Sequence, residues 1–489
     1  MMKKFRFVTL GCKVNQYETQ AMRESLLRHQ MTEEGEGPHD VVIVNTCTVT
    51  EEADRENRYW IRRLRRENPG AKIIVTGCWV ERNRKEIESL PEVDLILGNQ
   101  EKPDLAGKIF QGCGSPEAQT MNFPLTLPSP PLGERVGVRG KVFSPLHISS
   151  FQGHARAFVK IQDGCNHACT FCKVVLVRGR SRSRPLEDIA DEARRLRDNG
   201  FKEIVLTGVQ LGAYGLDFAP SPFTLSPSEG EGRVKGLVSV LETLSQIPGI
   251  ERIRLSSIEP TDVKPDLIQA MKNLSRVSPQ LHIPLQSGDS EILKKMNRRY
   301  DRGFYRALID RLRSEIPDFC LSMDAMAGFP GEEESHFQNT LSLIEETRPI
   351  RVHAFPYSRR PGTRAAQWEN VEDRKVRERM KRLITFSTVV ARREKEKFLG
   401  RTFPVLVEKC APLQPVIASE AEQSRFEIAS VAALPRNDEE GRAFLQGHTA
   451  HYLKVLFQGS PDWVGRLVPV RLLKVEEEGI LGRPEGSPE

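Results

Sequence analysis

Short apolar runs alternate with charged, helix-patterned stretches in two long series along this chain. That alternation restricts most of it to parallel α/β architecture. The first series reads FRFVTL, a helix from about Asn15, DVVIVN, a helix from Glu51, KIIVTG, a helix near Glu81, and VDLILG. It predicts an N-terminal parallel α/β sheet. The second begins at Arg156: RAFVKIQ, a helix from Leu186, KEIVLTG, a helix from Leu237, RIRLSS, a helix from Thr261, QLHIPL, paired helices through Ile316, CLSMDAM, a helix from Glu332, and RVHAFPY. Six strand-helix units predict a partial (β/α)6 barrel.

The remaining segments follow other rules. After Pro361 a helical pattern to about Phe398 carries Arg374, Lys375, Arg377, Arg379, Lys381, Arg382, Arg392, Arg393, Lys395 and Lys397. Such a run suits either a solvated helix face or a surface turned toward RNA. TFPVLVEK, HYLKVLF and RLVPVRLLKV then read as strands of a small closed β-barrel of the kind that binds oligonucleotides. Stretches rich in Pro, Gly and Ser follow Leu125 and Phe223, and a third interruption runs from about Leu413 to Arg442. None can build a core, so they are expected to be flexible, functionally neutral surface inserts.

At 489 residues the chain has room for about three domains. The boundaries predicted are 1–118, a Pro/Gly-rich linker insert at 119–150, a core at 151–398 with an insert near 218–235, and a terminal barrel at 399–483 with an insert near 413–442. The start Met1 to Lys4 is basic, but the apolar run before Gly11 and Cys12 is too short for a signal-peptide core, and no stretch is apolar enough to span a membrane. The expectation is a cytoplasmic protein with no membrane association, in which nine cysteines are metal ligands rather than disulfides. A net charge of +6 permits a polyanionic partner.

Residues 165 to 172 read CNHACTFC, placing Cys165, Cys169 and Cys172 in a Cys-x3-Cys-x2-Cys array. Structural zinc takes four ligands in two close pairs, whereas three thiolates on one loop suit a cubane iron-sulfur cluster whose fourth iron faces a ligand. This loop follows a predicted strand, at the barrel mouth where βα loops build active sites. Cys12, Cys47 and Cys78 each fall just past a strand of the first sheet. Strand carboxyl ends share one edge, so these three thiols are expected to converge as well.

With both trios placed, the chain resembles a methylthiotransferase of the radical S-adenosylmethionine superfamily over nearly everything outside the inserts. The resemblance implies an N-terminal cluster domain, a radical core and a C-terminal TRAM-like RNA-binding barrel. It also implies two [4Fe-4S] clusters. The Cys165, Cys169, Cys172 cluster would bind S-adenosylmethionine for reductive cleavage to a deoxyadenosyl radical, and the Cys12, Cys47, Cys78 cluster would carry the sulfur to be transferred. The implied partners are tRNA, S-adenosylmethionine and a reducing electron donor. TLGCKVNQYE, NTCTVTEEAD, RIRLSSIEP and FPYSRRPGTRAA look most like the branch that modifies threonylcarbamoyladenosine beside the anticodon. One stretch departs from the family: after the third cysteine it usually continues with an Ile-Ile-Pro-Tyr-like segment, where this chain has Lys173, Val174, Val175, Leu176 and Val177 before Arg178 and Gly179.

Gly208, Gln210, Ser256, Ser257, Gln286 and Ser287 lie where the superfamily contacts S-adenosylmethionine, though each also suits a turn or cap. Arg178, Arg180, Arg182 and Arg184 alternate, so in an extended segment they would share one side, as a phosphate-binding face or a salt-bridged surface. Glu259 and Asp324 are candidates for polar support of the pocket or for helix caps. Cys113, Cys320 and Cys410 read as structural thiols. The rival functions are methylthiolation of isopentenyladenosine in tRNA or of a ribosomal-protein aspartate, and a non-catalytic tRNA-binding protein that keeps clusters for structure. Nucleoside mass spectrometry separates them.

Overall fold

The computed structural model describes residues 3–33, 37–110, 143, 146–218, 236–410 and 443–486. Cys113 and residues 119–142, 219–235 and 413–442, which carry most of the three inserts, lie outside the described residues. Four parallel strands open the chain: β1 (Phe5–Thr9), β2 (Val41–Thr46), β3 (Lys72–Gly77) and β4 (Leu95–Leu97), side by side in that order. Every residue of β2 is buried, as a sheet covered on both faces requires. Its alternation sorts the core into two layers. Val42 and Val44 pack with Ile61, Leu64 and Trp79 on one face, while Val41 and Ile43 pack with Met22 and Leu26 on the other.

The connecting helices are Lys13–Arg28, Glu51–Glu67 and Val80–Glu88. The second begins where its pattern predicts, because the Thr50 side chain accepts the Ala53 N–H at 3.1 Å and Glu51, Glu52 and Asp54 complement the positive end of the helix.

The core holds β5 (Arg156–Lys160), β6 (Gln162–Asp163), β7 (Arg182–Ser183), β8 (Glu203–Thr207), β9 (Arg252–Leu255), β10 (Gln280–His282), β11 (Cys320–Ala327) and β12 (Arg351–Pro356). Strands β5, β8 and β9 form one parallel ladder and β10, β11 and β12 another. A parallel bridge between Ser257 and His282 joins them into the predicted six-strand partial barrel. The short antiparallel pair β6 and β7 closes around the cysteine loop between them. One helix starts later than its pattern suggests: Pro260–Asp262 is a 3-10 turn, and Pro265 takes the first position of the helix Pro265–Asn273. Leu146 and Ile148, at the end of the expected linker, are buried in the core. Ser149 and Ser150 there donate to Glu24 of the first helix.

The basic helix spans Asp373–Glu396, starting well after Pro361. Much of its charge is already engaged. Arg379 is buried on Glu332 at 2.9 Å, Arg382 reaches Glu334 at 2.7 Å, and Arg393 reaches Glu345 at 2.5 Å. These three arginines reach toward the segment that holds the helix Glu334–Thr347, while Arg374, Lys375, Arg377, Lys381, Arg392 and Lys397 are exposed, as on a solvated helix face.

The last segment is a closed barrel of β13 (Thr402–Cys410), β14 (Ala443–Thr449), β15 (Lys454–Gly459), β16 (Leu467–Val475) and β17 (Ile480–Pro484), in the order β13-β14-β15-β17-β16. Val405, Val407, Leu445, Val455, Phe457, Val468 and Val470 fill it. Gly447 is required there, since a Cβ would lie 2.1 Å from the Leu406 carbonyl oxygen. Arg252 and Arg254, both buried, donate from β9 to the carbonyls of His448 and Thr449 at 3.1 and 3.0 Å and are neutralised by Glu203. The barrel thus docks at the amino ends of β8 and β9, the opposite edge from the cysteine loop. Among the described residues no helix is long and apolar enough to cross a membrane. Cys320 is buried, as a structural thiol should be, but Cys410 is exposed.

Candidate metal centres

The core loop is built by backbone contacts at both ends. Cys165 N–H donates to Gly179 O at 3.0 Å and Thr170 N–H to Met296 O at 3.1 Å, while Asn297 Nδ2 donates to Ala168 O at 2.8 Å. Donors then converge on sulfur. His167 N–H lies 3.3 Å from Cys165 Sγ, Val174 N–H 3.4 Å from Cys172 Sγ, and Arg298 Nη1 3.6 Å from Cys169 Sγ. Arg298 is itself held by Glu259 at 2.8 Å, which gives Glu259 the supporting role anticipated for it. Asp324 instead pairs with His282 at 3.1 Å. Burial pushes the Cys165 thiol up to about 11 and Cys172 up to about 12. A bound metal must supply the charge that makes these thiols thiolates at neutral pH.

The N-terminal trio is assembled by strand-end glycines. Gly11 has φ +93, and a Cβ on it would stand 2.6 Å from Cys47 Cβ and 2.7 Å from Cys47 Sγ. Gly77 has φ +104, and its Cβ would meet Thr46 O at 2.3 Å. Only glycine lets Cys12 and Cys78 approach Cys47 this way. Cys47 lies in the electrostatic field of both other thiols, and burial first of all pushes it up to about 12. Among the described residues no three His, Cys, Asp or Glu side chains close around a point the size of one ion. A cubane engages its cysteines at separate corners, so two trios of neighbouring, donor-supplied thiols fit such a group.

A buried ionic network runs from Cys78 of the N-terminal trio to Asp163, two residues before the first cysteine of the core loop. Arg178 donates from Nε to Cys78 Sγ at 3.3 Å, from Nη1 to Glu18 at 2.8 Å and Asp163 at 3.2 Å, and from Nη2 to Asn15 Oδ1 at 2.8 Å. Lys160 bridges Glu18 and Asp163 at 2.7 and 2.8 Å, Lys102 also pairs with Glu18, and Arg182 reaches Asp163 at 3.3 Å. Four cations thus face two carboxylates, leaving positive charge beside Cys78, one of three candidate ligands that would become anionic on binding metal. Burial alone would raise the Asp163 carboxyl, but Lys160 and Arg178 outweigh it and bring it to about 2.

The expected arginine face is ion-paired, as one of its two alternatives held, but in the interior rather than on a surface. Arg178, Arg182 and Arg184 are buried and only Arg180 is exposed. Arg184 donates to Tyr17 Oη at 3.2 Å and Glu192 at 3.0 Å. The segment is not extended throughout, since Val174–Arg178 is a short helix. The sequence carries one signal of the buried network: Lys160 follows the apolar, buried run Ala157, Phe158 and Val159, and a fully buried lysine demands a partner.

The six residues considered for S-adenosylmethionine separate. Gln210 Oε1 accepts the Asn166 N–H at 3.1 Å and its Nε2 lies 2.9 Å from His167 Nε2, so it holds the cysteine loop. A Cβ at Gly208 would stand 2.9 Å from Gln162 Oε1, the atom that accepts Gln210 N–H. Ser256 Oγ and Gln286 Oε1 are buried with no hydrogen-bond partner among the described residues, and Gln286 has φ 64, a strained value of the kind that collects at ligand sites. Ser257 is exposed, its backbone bridging β10. Ser287 is fully buried, with its hydroxyl 3.5 Å from Thr340 Oγ1, a packing position.

Comparison with known proteins adds independent findings. The radical SAM superfamily profile matches residues 159–344, and a family described as uncharacterized protein family UPF0004 matches residues 4–98. The threonylcarbamoyladenosine tRNA methylthiotransferase MtaB of Chlamydia pneumoniae is 36% identical over 98% of this chain and 97% of its own length. The protein of the same name from Bacillus subtilis (strain 168) is 36% identical, over 96% of this chain and 93% of its own. A tRNA-2-methylthio-N(6)-dimethylallyladenosine synthase from Pelotomaculum thermopropionicum is 33% identical over 96% and 95%. Among solved structures, the radical S-adenosylmethionine methyltransferase TsrM from Kitasatospora setae superposes with a TM-score of 0.51 over 75% of this chain and 74% of its own at 15% identity, a likeness of fold.

Proposed function

The chain belongs to the radical SAM methylthiotransferase family, and from that premise we propose that it methylthiolates the adenine ring of N6-threonylcarbamoyladenosine beside the anticodon of tRNA. The observation that carries this reading is the presence of two separate trios of strand-end thiols, with Arg178, six residues past the core trio, donating to Cys78 of the other. The choice of base is supported by relatives at 36% identity that carry that substrate in their names, against 33% and 31% for those named for dimethylallyladenosine.

In this reading Cys165, Cys169 and Cys172 hold one [4Fe-4S] cluster beside S-adenosylmethionine, and Cys12, Cys47 and Cys78 hold a second. Bound there, these groups supply the radical and the sulfur needed to replace an adenine C–H hydrogen that no acid or base in the chain can remove. The remaining tasks fall on side chains. N–H groups of His167 and Val174 and the Arg298 guanidinium donate to the core sulfurs, which steadies them as thiolates. Gln210 fixes the loop through Asn166 and His167. The unpaired buried oxygens of Ser256 and Gln286 are the polar atoms available for S-adenosylmethionine. Arg178, Glu18, Asp163 and Lys160 lock the N-terminal sheet onto the core, which fixes the separation of the two centres.

Mass spectrometry of host tRNA nucleosides with and without the gene tests the proposal. Loss of the methylthio form, with the parent threonylcarbamoyladenosine accumulating, is the expected result. Unchanged nucleosides overturn it.

A further inference from the structure

A cleft of about 920 Å³ opens between the N-terminal domain and the core. Three of its walls follow cysteines of the two trios. Glu51 and Asp54 stand on the helix after Cys47, Arg82 on the helix after Cys78, and Lys173 next to Cys172. The loop after β12 closes the fourth side with Arg359 and Arg360. A group entering this cleft therefore meets side chains that follow cysteines of both trios closely in sequence.

Its charges are unevenly spent. Arg360 is buried and committed, donating to Thr48 O and Oγ1 at 2.7 Å and to Asp54 at 2.8 Å. Arg58 is held by Glu86, and Glu51 by Arg55. Arg82, Lys173 and Arg359 have no ion pair among the described residues, although Arg359 Nε donates to Ala366 O at 2.6 Å. Three uncompensated cations sharing one concavity repel one another, a cost that an incoming anion removes. Lys173 also replaces the first isoleucine of the Ile-Ile-Pro-Tyr-like stretch, so a charge stands where that pattern is apolar.

We propose that this cleft recognises the N6 substituent of the substrate adenosine, with Arg82, Lys173 and Arg359 receiving its carboxylate. The inference rests on the preceding functional reading. A threonylcarbamoyl group is ionised at neutral pH and is attached to the reacting base, so its carboxylate must be received close to the reacting carbon, and this cleft offers cations on the segments that follow Cys78 and Cys172. An apolar isopentenyl group would desolvate the three cations without compensating them, which makes the same residues a filter against it. The volume is in the range of pockets that enclose nucleoside-sized ligands.

The test measures anaerobic binding of two synthetic anticodon stem-loops by the full-length, cluster-bearing protein, one carrying threonylcarbamoyladenosine and one carrying plain adenosine at the same position. The parent should prefer the first. Lys173→Ile and Arg82→Ala should each cut that preference about tenfold, the effect of losing one charge-assisted hydrogen bond, while affinity for the plain stem-loop holds and so reports intact folding. Variants that keep the parent's ratio overturn the cleft assignment while leaving the substrate reading intact. Equal weakening toward both RNAs identifies a backbone-phosphate contact and also overturns it. A parent protein with no preference overturns the substrate reading, and the cleft assignment with it.

Discussion

Arg178 and Cys78 are a hundred residues apart in sequence, yet the guanidinium Nε of one lies 3.3 Å from the sulfur of the other. The same guanidinium binds Glu18 and Asp163, so a single side chain reaches a thiol of one trio and the strand leading into the loop of the other. Arg178→Gln removes that charge and breaks its buried bonds to Glu18, Asp163 and Cys78, leaving those partners without their main donor. We expect a loss of about 3–5 kcal/mol and poor iron loading on the N-terminal trio. Thermal unfolding and iron analysis check this; a variant with the parent's melting temperature and iron content contradicts it.

Gly11→Ala should act selectively. The new Cβ would lie 2.6 Å from Cys47 Cβ on a backbone with φ +93, a strain of about 1–3 kcal/mol, and relieving it must move Cys12 from Cys47. The core loop is untouched by this. Iron should therefore fall from about eight atoms per chain to about four, measured after anaerobic reconstitution. Retention of the full complement would show that the close approach is not needed.

Acid should loosen the docking of the terminal barrel. Burial works to raise the Glu203 carboxyl, but Arg254, then Arg252 and Arg156, overcome it and bring it from 4.5 to about 2. A folded value below the unfolded one stabilises fully above the unfolded value, and that stabilisation is lost as pH falls through the folded one. Parent stability should drop between about pH 5 and pH 2 by about 3 kcal/mol from this group. Glu203→Gln should start lower at neutral pH and converge on the parent near pH 2. Parallel urea-unfolding profiles for the two proteins would refute the assignment.

Charge reversal at Arg184 separates a buried role from a surface one. Arg184 is 1% exposed and donates to Glu192 at 3.0 Å. Arg184→Glu places two carboxylates in contact in the interior, and we expect it to unfold the core, at a cost above about 3 kcal/mol. A folded variant whose only change is weaker, less salt-dependent RNA binding would restore the phosphate-face reading.

Much of this architecture was legible because short apolar runs and strand-end cysteines report position directly. A strand such as VVIVN, buried on both faces, leaves little choice of structure, and a thiol just past its end must sit at the ligand-binding edge. Strands β14 and β17 escaped notice because Ala443–Thr449 and Ile480–Pro484 interrupt their apolar alternation with glycine and polar residues, which closure of a tight barrel demands. The long basic helix and the alternating arginines leave two readings open in the sequence for a common reason. Charge in a sequence looks solvated until its partners are known, and Glu332, Glu192 and Glu18 are supplied by distant segments. Arg178 against Cys78 had no local signal at all, because it exists only once two domains have packed.

The most direct measurement is anaerobic iron and sulfide analysis with electron paramagnetic resonance on three proteins: the parent, the Cys165, Cys169, Cys172→Ala triple variant, and the Cys12, Cys47, Cys78→Ala triple variant. The account predicts about eight irons in the parent and about four in each variant, with a different signal surviving in each. Iron content and spectra identical to the parent's in either variant would contradict it.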